Sequence, residues 1–112
     1  MTKQKDLYEL QADLCKVFAS AIRIEIIQLL KDGERTVSDL VELLNTPKAN
    51  VSQHLAIMRN KGILKNRREG VNIYYSIAHE KIIQACGLMR EVLNDVIAER
   101  GKVANLLESD ED

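Results

Sequence analysis

Lys48, Asn50, Ser52, Gln53 and His54 fall within seven residues, and Lys65, Arg67 and Arg68 follow shortly after. These are amides, a hydroxyl, an imidazole and cations. Carboxylates are missing. Residues 46–68 contain no Asp or Glu and carry a formal charge of +6, whereas the rest of the chain holds ten basic and seventeen acidic residues. The overall charge of −1 hides that separation. A cationic patch on an acidic body suits a polyanion. Amide and hydroxyl side chains can read base edges, and cations can take phosphates. Gln53 is the best base reader, because its amide can pair bidentately with adenine. Lys48 suits a phosphate. His54, on the flank of the apolar face, suits a partly buried, satisfied ring or a bond to a phosphate rather than a metal.

These residues need a scaffold that presents them together. On a helical period, Val51, Leu55 and Met58 share one narrow arc of a helix running to about Asn60. The opposite arc holds Ala49, Ser52, Gln53, Ala56 and Asn60. A solvated face usually carries long charged side chains, whereas two alanines permit close approach to a groove. Thr46 is expected to cap this helix and Pro47 to take its first position. Ser38 is expected to cap a shorter helix before it, 39–45. Gly62 closes the later helix.

The period then changes to two. Ile73, Tyr75 and Ile77 alternate with polar partners, which predicts a half-buried strand pairing with residues 63–68. The turn between them is "REGV", with Gly70 free to take positive φ. Lys65, Arg67 and Arg68 sit on the strand leading to its tip, where they can meet phosphates or a minor groove. Upstream, apolar residues at three- and four-residue steps predict helices over 6–19 (Leu7, Leu10, Leu14, Val17) and 21–32, the second capped by Ser20 and ended at Gly33. Thr36 and Val37 form a short extended link. From about His79 to Leu107 the pattern is helical again. Ile82, Cys86, Met89, Leu93 and Val96 make a coiled-coil-like seam that continues to Val103 and Leu107. The acidic tail, 108–112, is expected to be disordered. The fold predicted is mainly α with a small β-hairpin, a winged helix-turn-helix in one domain over 1–107. The helix-turn-helix spans 38–60 and the wing 63–77.

A chain of 112 residues suits one modest core, with 46% hydrophobic and 29% charged residues. One Phe, three Tyr and no Trp leave that core to aliphatic residues. No signal-peptide pattern and no apolar run of membrane-spanning length is present. Cys15 and Cys86 are too far apart in sequence for a zinc-finger spacing, so free thiols in a cytoplasmic protein are expected. Two histidines, no nucleophile set by motif beside a base and no Gly-rich phosphate loop argue against an enzyme.

The segments "FASAIRIEIIQLL", "VSQHLAIMRNKGIL" and "RREGVNIYYSI" resemble the ArsR/SmtB family of bacterial and archaeal repressors, over about residues 12–98. The resemblance implies a homodimer that binds a double-stranded DNA operator and leaves it when an inducer binds. It places Ser52, Gln53 and His54 on the DNA-contacting part of the recognition helix, and Arg67, Arg68 and Gly70 on the wing. It also implies that the first and last helices (6–19 and 79–107) build the dimer interface.

Two metal sites familiar in that family are not matched. One needs thiols where this chain has Thr36 and Ser38. The other falls on His79, Lys81, Val92 and Asp95, and neither a lysine nor a valine binds zinc. No cofactor or metal is therefore expected. Cys15, at the edge of the first helix's stripe, and Cys86, in the last helix's seam, remain as a thiol sensor for reactive sulfur or oxidant, or for As(III). Against that stands ordinary packing, since free cysteine is a common small core residue. The wider alternatives are a constitutive or architectural DNA binder without an inducer, and a helical module whose long helix pairs with another protein.

Overall fold

The computed structural model describes residues 3–110, with side chains placed through residue 102. The order is α1 (Lys3–Val17), α2 (Ala21–Leu30), β1 (Arg35–Thr36), α3 (Val37–Leu44), α4 (Lys48–Asn60), β2 (Leu64–Glu69), β3 (Asn72–Ile77) and α5 (Glu80–Asp110). The fold is a winged helix-turn-helix with a long C-terminal helix. One feature enlarges the expected hairpin. Residues 35–36 pair with β3, so the sheet has three antiparallel strands in the order β1-β3-β2.

Local chemistry accounts for most boundaries. Ser20 caps α2 by accepting the Arg23 N–H. Lys61 and Gly62 end α4 in a Schellman turn: Ile63 N–H donates to Met58 O at 2.9 Å and Gly62 N–H to Arg59 O at 3.0 Å. That turn requires a left-handed residue, and Gly62 has φ +79°. It also buries Met58 and Ile63 together at the helix end, and Ile63 O then accepts Ala78 N–H to join the hairpin's two ends. Gly70, φ +62°, makes the turn between β2 and β3.

Helix α1 spans Lys3–Val17 rather than 6–19 and α2 ends at Leu30 rather than 32, and three further boundaries shift. Ser38 does not cap α3; Thr36 does, its Oγ1 accepting Asp39 N–H at 3.0 Å. Pairing of Thr36 with Tyr74 holds Thr36 extended, so the helix begins directly after it. Thr46 does not cap α4. Its hydroxyl donates back to Leu44 O at 2.9 Å, and Pro47 becomes the N-cap residue with no side-chain cap. Helix α5 continues to Asp110, past the expected end at Leu107 and into the tail read as disordered; residues 111–112 lie outside the described residues.

The core is small and aliphatic. Ile26, Ile27, Leu30, Leu40, Val51, Leu55, Met58, Ile63 and Leu64 are buried, joined by Val17, Tyr75 and Ile82. It sits between α2, α3, α4 and the inner face of the sheet. Outside it, α1 buries only Val17. A compact chain of this length would have a radius of gyration of about 13 Å; this one has 18.5 Å, with a longest extent of 66 Å. Helix α5 alone, at 1.5 Å per residue, is about 46 Å long. Ten of the twelve large hydrophobic side chains exposed among the described residues lie on α1 and α5. Apart from Val17, Ile82 and Cys86, which reach the core, the apolar stripes of these helices are therefore not faces of this chain's own core.

Candidate nucleic-acid interface

Helix α4 is anchored through Val51, Leu55 and Met58, all fully buried. This fixes its rotation, and Lys48, Ala49, Asn50, Ser52, Gln53 and Asn60 are left exposed. The polar side chains of Lys48, Asn50, Ser52 and Gln53 make no hydrogen bond or ion pair among the described residues. They are available to a ligand. The first turn of α4 contains no acidic residue and no side-chain cap, so its positive end is uncompensated. The left-handed Asn45, φ +49°, ends α3 and turns the chain into α4. An asparagine tolerates that conformation better than most residues.

His54 differs from its neighbours. It is half-buried, and its Nδ1 accepts the Nε–H of Arg23, on α2, at 3.1 Å. A ring nitrogen that accepts cannot carry the proton, so the imidazole is neutral with its hydrogen on Nε2. Burial first, and the Arg23 charge second, hold its pKa below the ordinary 6.5. Arg23 was not among the residues singled out from the sequence. The available signal was a lone cation inside the apolar run "AIRIEIIQLL".

The wing divides its cations between two faces. Register pairs Lys65 with Ser76, Arg67 with Tyr74 and Arg68 with Ile73. Alternation along the strand therefore sends Lys65 and Arg67 to one face and Arg68 to the other. Arg68 shares the face of Leu64 and Tyr75, which lower down packs on the helices. Neither Lys65 nor Arg68 has an ion-pair partner among the described residues. Arg67 is already engaged. Its Nε donates to Glu34 at 2.9 Å, a second nitrogen donates to the other Glu34 oxygen, and a third bond goes to Glu69 at 2.7 Å. Its guanidinium also lies 4.4 Å from the centre of the Tyr74 ring. The hydrogen bond from Arg67 holds the Glu34 carboxyl below its ordinary value, and the same pairing raises Arg67 further. Glu34 and Tyr74 had no signal in the sequence, because one precedes a two-residue strand and the other sits on the polar side of β3.

The thiols are free and dissimilar. Cys15 is exposed on α1, whereas Cys86 is half-buried against the core. Burial pushes the Cys86 thiol up, away from the thiolate that sulfur and metalloid chemistry requires. Among the described residues no group of three or more His, Cys, Asp or Glu side chains is placed to hold a metal. No described helix is long and apolar enough to cross a membrane.

An anchored helix with a free polar face, set by a tight turn after a shorter helix and flanked by a basic wing, is the layout of a winged helix-turn-helix that enters DNA. Residues 20–66 match the model for bacterial regulatory proteins of the arsR family. The HTH-type transcriptional regulator Rv0081 of Mycobacterium tuberculosis is 33% identical over 99 residues, covering 88% of this chain and 87% of that one. The transcriptional repressor PagR of Bacillus anthracis is 40% identical over 72 residues, 63% of this chain and 72% of that one. The crystal structure of Rv0081 superposes with a TM-score of 0.79 at 35% identity, over 84% of this chain and 95% of that one. The homodimeric winged helix-turn-helix domain of Mb0332 from Mycobacterium bovis does so at 0.77 and 27% identity, over 85% and 88%. The chain belongs to the arsR family and is a DNA-binding transcriptional regulator, not an enzyme.

Proposed function

We propose that this protein is a homodimeric, sequence-specific repressor that binds an inverted-repeat operator in the cytoplasm and is released by an inducer. The observation that carries DNA reading is the face of α4. Lys48, Asn50, Ser52 and Gln53 are exposed, unspent and free of neighbouring carboxylates. Gln53 reads a base, Asn50 and Ser52 support it, and Lys48 takes a phosphate at the positive end of the helix. Lys65 and Arg68 take phosphates from the wing. Arg67 serves the wing differently, because reaching a phosphate would mean giving up two carboxylates.

Dimerisation is supported by the open stripes of α1 and α5. Leu7, Leu10 and Leu14 on one, and Met89, Leu93 and Ile97 on the other, are each at least 40% exposed. Complete burial of such a side chain from full exposure is worth about 1.5–3 kcal/mol, and these have roughly half of that left to gain. Large apolar side chains left exposed at helical spacing along two helices mark an interface. The neighbour from Mycobacterium bovis is a homodimer, and PagR is a repressor.

The test is a titration of operator-containing duplexes with the wild-type protein and Gln53→Ala. Loss of the Gln53 amide relaxes preference at one operator position and costs about 1–3 kcal/mol there. Equal affinity of the variant and the wild type for all operator variants would remove Gln53 from readout.

A thiol-controlled form of this function has one observation in its favour: Cys15 is exposed on α1, the helix whose stripe lies open. The raised Cys86 thiol weighs against it. Reactive sulfur, oxidant or As(III) applied to the DNA complex decides the matter. A Cys15→Ser/Cys86→Ser double variant that still releases DNA excludes the thiols, and one that stays bound assigns them.

A further inference from the structure

The 3.6-residue period of α4 sets its cations on one side only. The arc opposite the core holds Ala49, Gln53, Ala56 and Asn60. Lys48 and Arg59 flank that arc on one side. The other flank carries Asn50, His54 and Ile57, and no basic residue of α4 itself. A helix lying in a major groove has a phosphate strand on each side of it. One strand would meet Lys48 and Arg59 of α4; the other would meet only Lys61, the C-cap residue after the last turn, and no charge beside Asn50 and His54.

Arg23 supplies the missing charge. It lies on α2, yet its Nε–H is tied to His54 Nδ1 on the bare flank. This occupies one of the five guanidinium donors. The other four have no acceptor within the described residues, and none is a buried unsatisfied atom, so they face solvent beside α4. Among the described residues no carboxylate pairs with Arg23, although acidic residues outnumber basic ones in this chain. The other arginines with recorded partners are used differently: Arg35 donates Nε to Leu29 O at 2.7 Å, and Arg67 is held by Glu34 and Glu69.

We propose that Arg23 is a DNA-backbone contact, its guanidinium held end-on toward a phosphate on the Asn50 flank of the recognition helix by the neutral ring of His54. A planar fork with its Nε fixed is pre-oriented, so less side-chain freedom is lost when it takes two phosphate oxygens. His54 is then a positioning residue acting through Arg23, not itself a phosphate ligand. The proposal rests on the DNA-binding reading above.

The experiment uses the full chain and a random-sequence duplex, so that only the phosphate contribution is read. Affinity is measured by fluorescence anisotropy across a range of KCl concentrations. Arg23→Gln is expected to weaken binding and to flatten the slope of log K against log salt by about 0.9 per subunit, one lost phosphate contact. Arg23→Lys keeps the slope but binds more weakly. His54→Leu keeps the slope, because the charge remains, and weakens binding less than Arg23→Gln. Arg68→Gln serves as a wing comparison with the same expected flattening. An Arg23→Gln protein with wild-type slope and affinity, beside a flattened Arg68→Gln, overturns the proposal. Wild-type protein that binds no duplex at any salt concentration sinks the DNA-binding reading instead. A second measurement does not depend on how the variants fold. Phenylglyoxal modification of the wild type, mapped by peptide mass, is expected to show Arg23 protected by duplex DNA. Equal modification with and without DNA overturns the proposal.

Discussion

Arg67 and Glu34 stand 33 positions apart in the chain, and they are bound by two hydrogen bonds. The pairing spans the sheet. Glu34 enters β1, β1 pairs with β3, β3 pairs with β2, and Arg67 reaches back across the Tyr74 ring. It adds a side-chain tie between the hairpin and the turn that follows α2, alongside the β1–β3 pairing.

Glu34→Gln is therefore expected to loosen the wing without disturbing the core. Amide exchange in β2 and β3 should rise while that of α4 stays constant. The brace also depends on pH. Glu34 is depressed below 4.5, so its contribution is complete above that value and lost as pH falls through the depressed one. Wild-type resonances of Arg67 and Tyr74 should shift over that acidic window, and those of Glu34→Gln should not. Identical acid titrations of the two proteins would separate the brace from the wing's position.

His54 should titrate below 6.5, as read from its ring proton shifts. Arg23→Gln should raise that midpoint only part of the way, because burial is the larger cause and Arg23 the smaller. The sign follows from the depressed value. The neutral ring's contribution to stability is present above 6.5 and lost as pH falls through the folded midpoint. A His54 midpoint at or above 6.5 would mean that the ring does not accept from Arg23.

Leu93→Glu places a charge within the open stripe of α5, where Leu93 is 50% exposed in the single chain. The chain's own core does not use this residue, so the variant should fold. An uncompensated charge in a closed apolar seam costs far more than the leucine contributed. Sedimentation at micromolar concentration should show a folded monomer beside a wild-type dimer. Finding the wild type itself monomeric under those conditions removes the interface proposed for α1 and α5.

Gly62→Ala tests the helix end that sets up the wing. A Cβ built at Gly62 meets no atom within 4 Å, so no clash contributes. What remains is the left-handed conformation, φ +79°, which costs a residue with a Cβ about 1–2 kcal/mol. Chemical unfolding should show a loss of that size with an unchanged m-value. A neutral outcome would mean that the Schellman turn relaxes.

The positions of the helices and the hairpin were legible in the sequence because they rest on local physics. Apolar period, Ser20, Gly62 and Gly70 act within a few residues of themselves, and Val51, Leu55 and Met58 had only one arc on which to lie. The exposed reading face of α4 follows from that arc. The boundaries at Ser38 and Thr46 misled for a related reason. Each residue had two acceptable hydrogen-bonding roles: strand pairing with Tyr74 held Thr36 extended and gave it the cap, whereas at Thr46 a local bond to Leu44 O, two residues back, took the hydroxyl. The period of α1 showed that Leu7, Leu10 and Leu14 share a stripe, but not what the stripe faces. Only packing shows that α1 buries Val17 alone. The charges were the least legible. Arg67 reads as a free wing cation until Glu34 is found beside it, and His54 reads as a flank residue until Arg23 is found on its ring. Contacts between residues more than 30 positions apart depend on how the sheet and helices stack, and no local period encodes that.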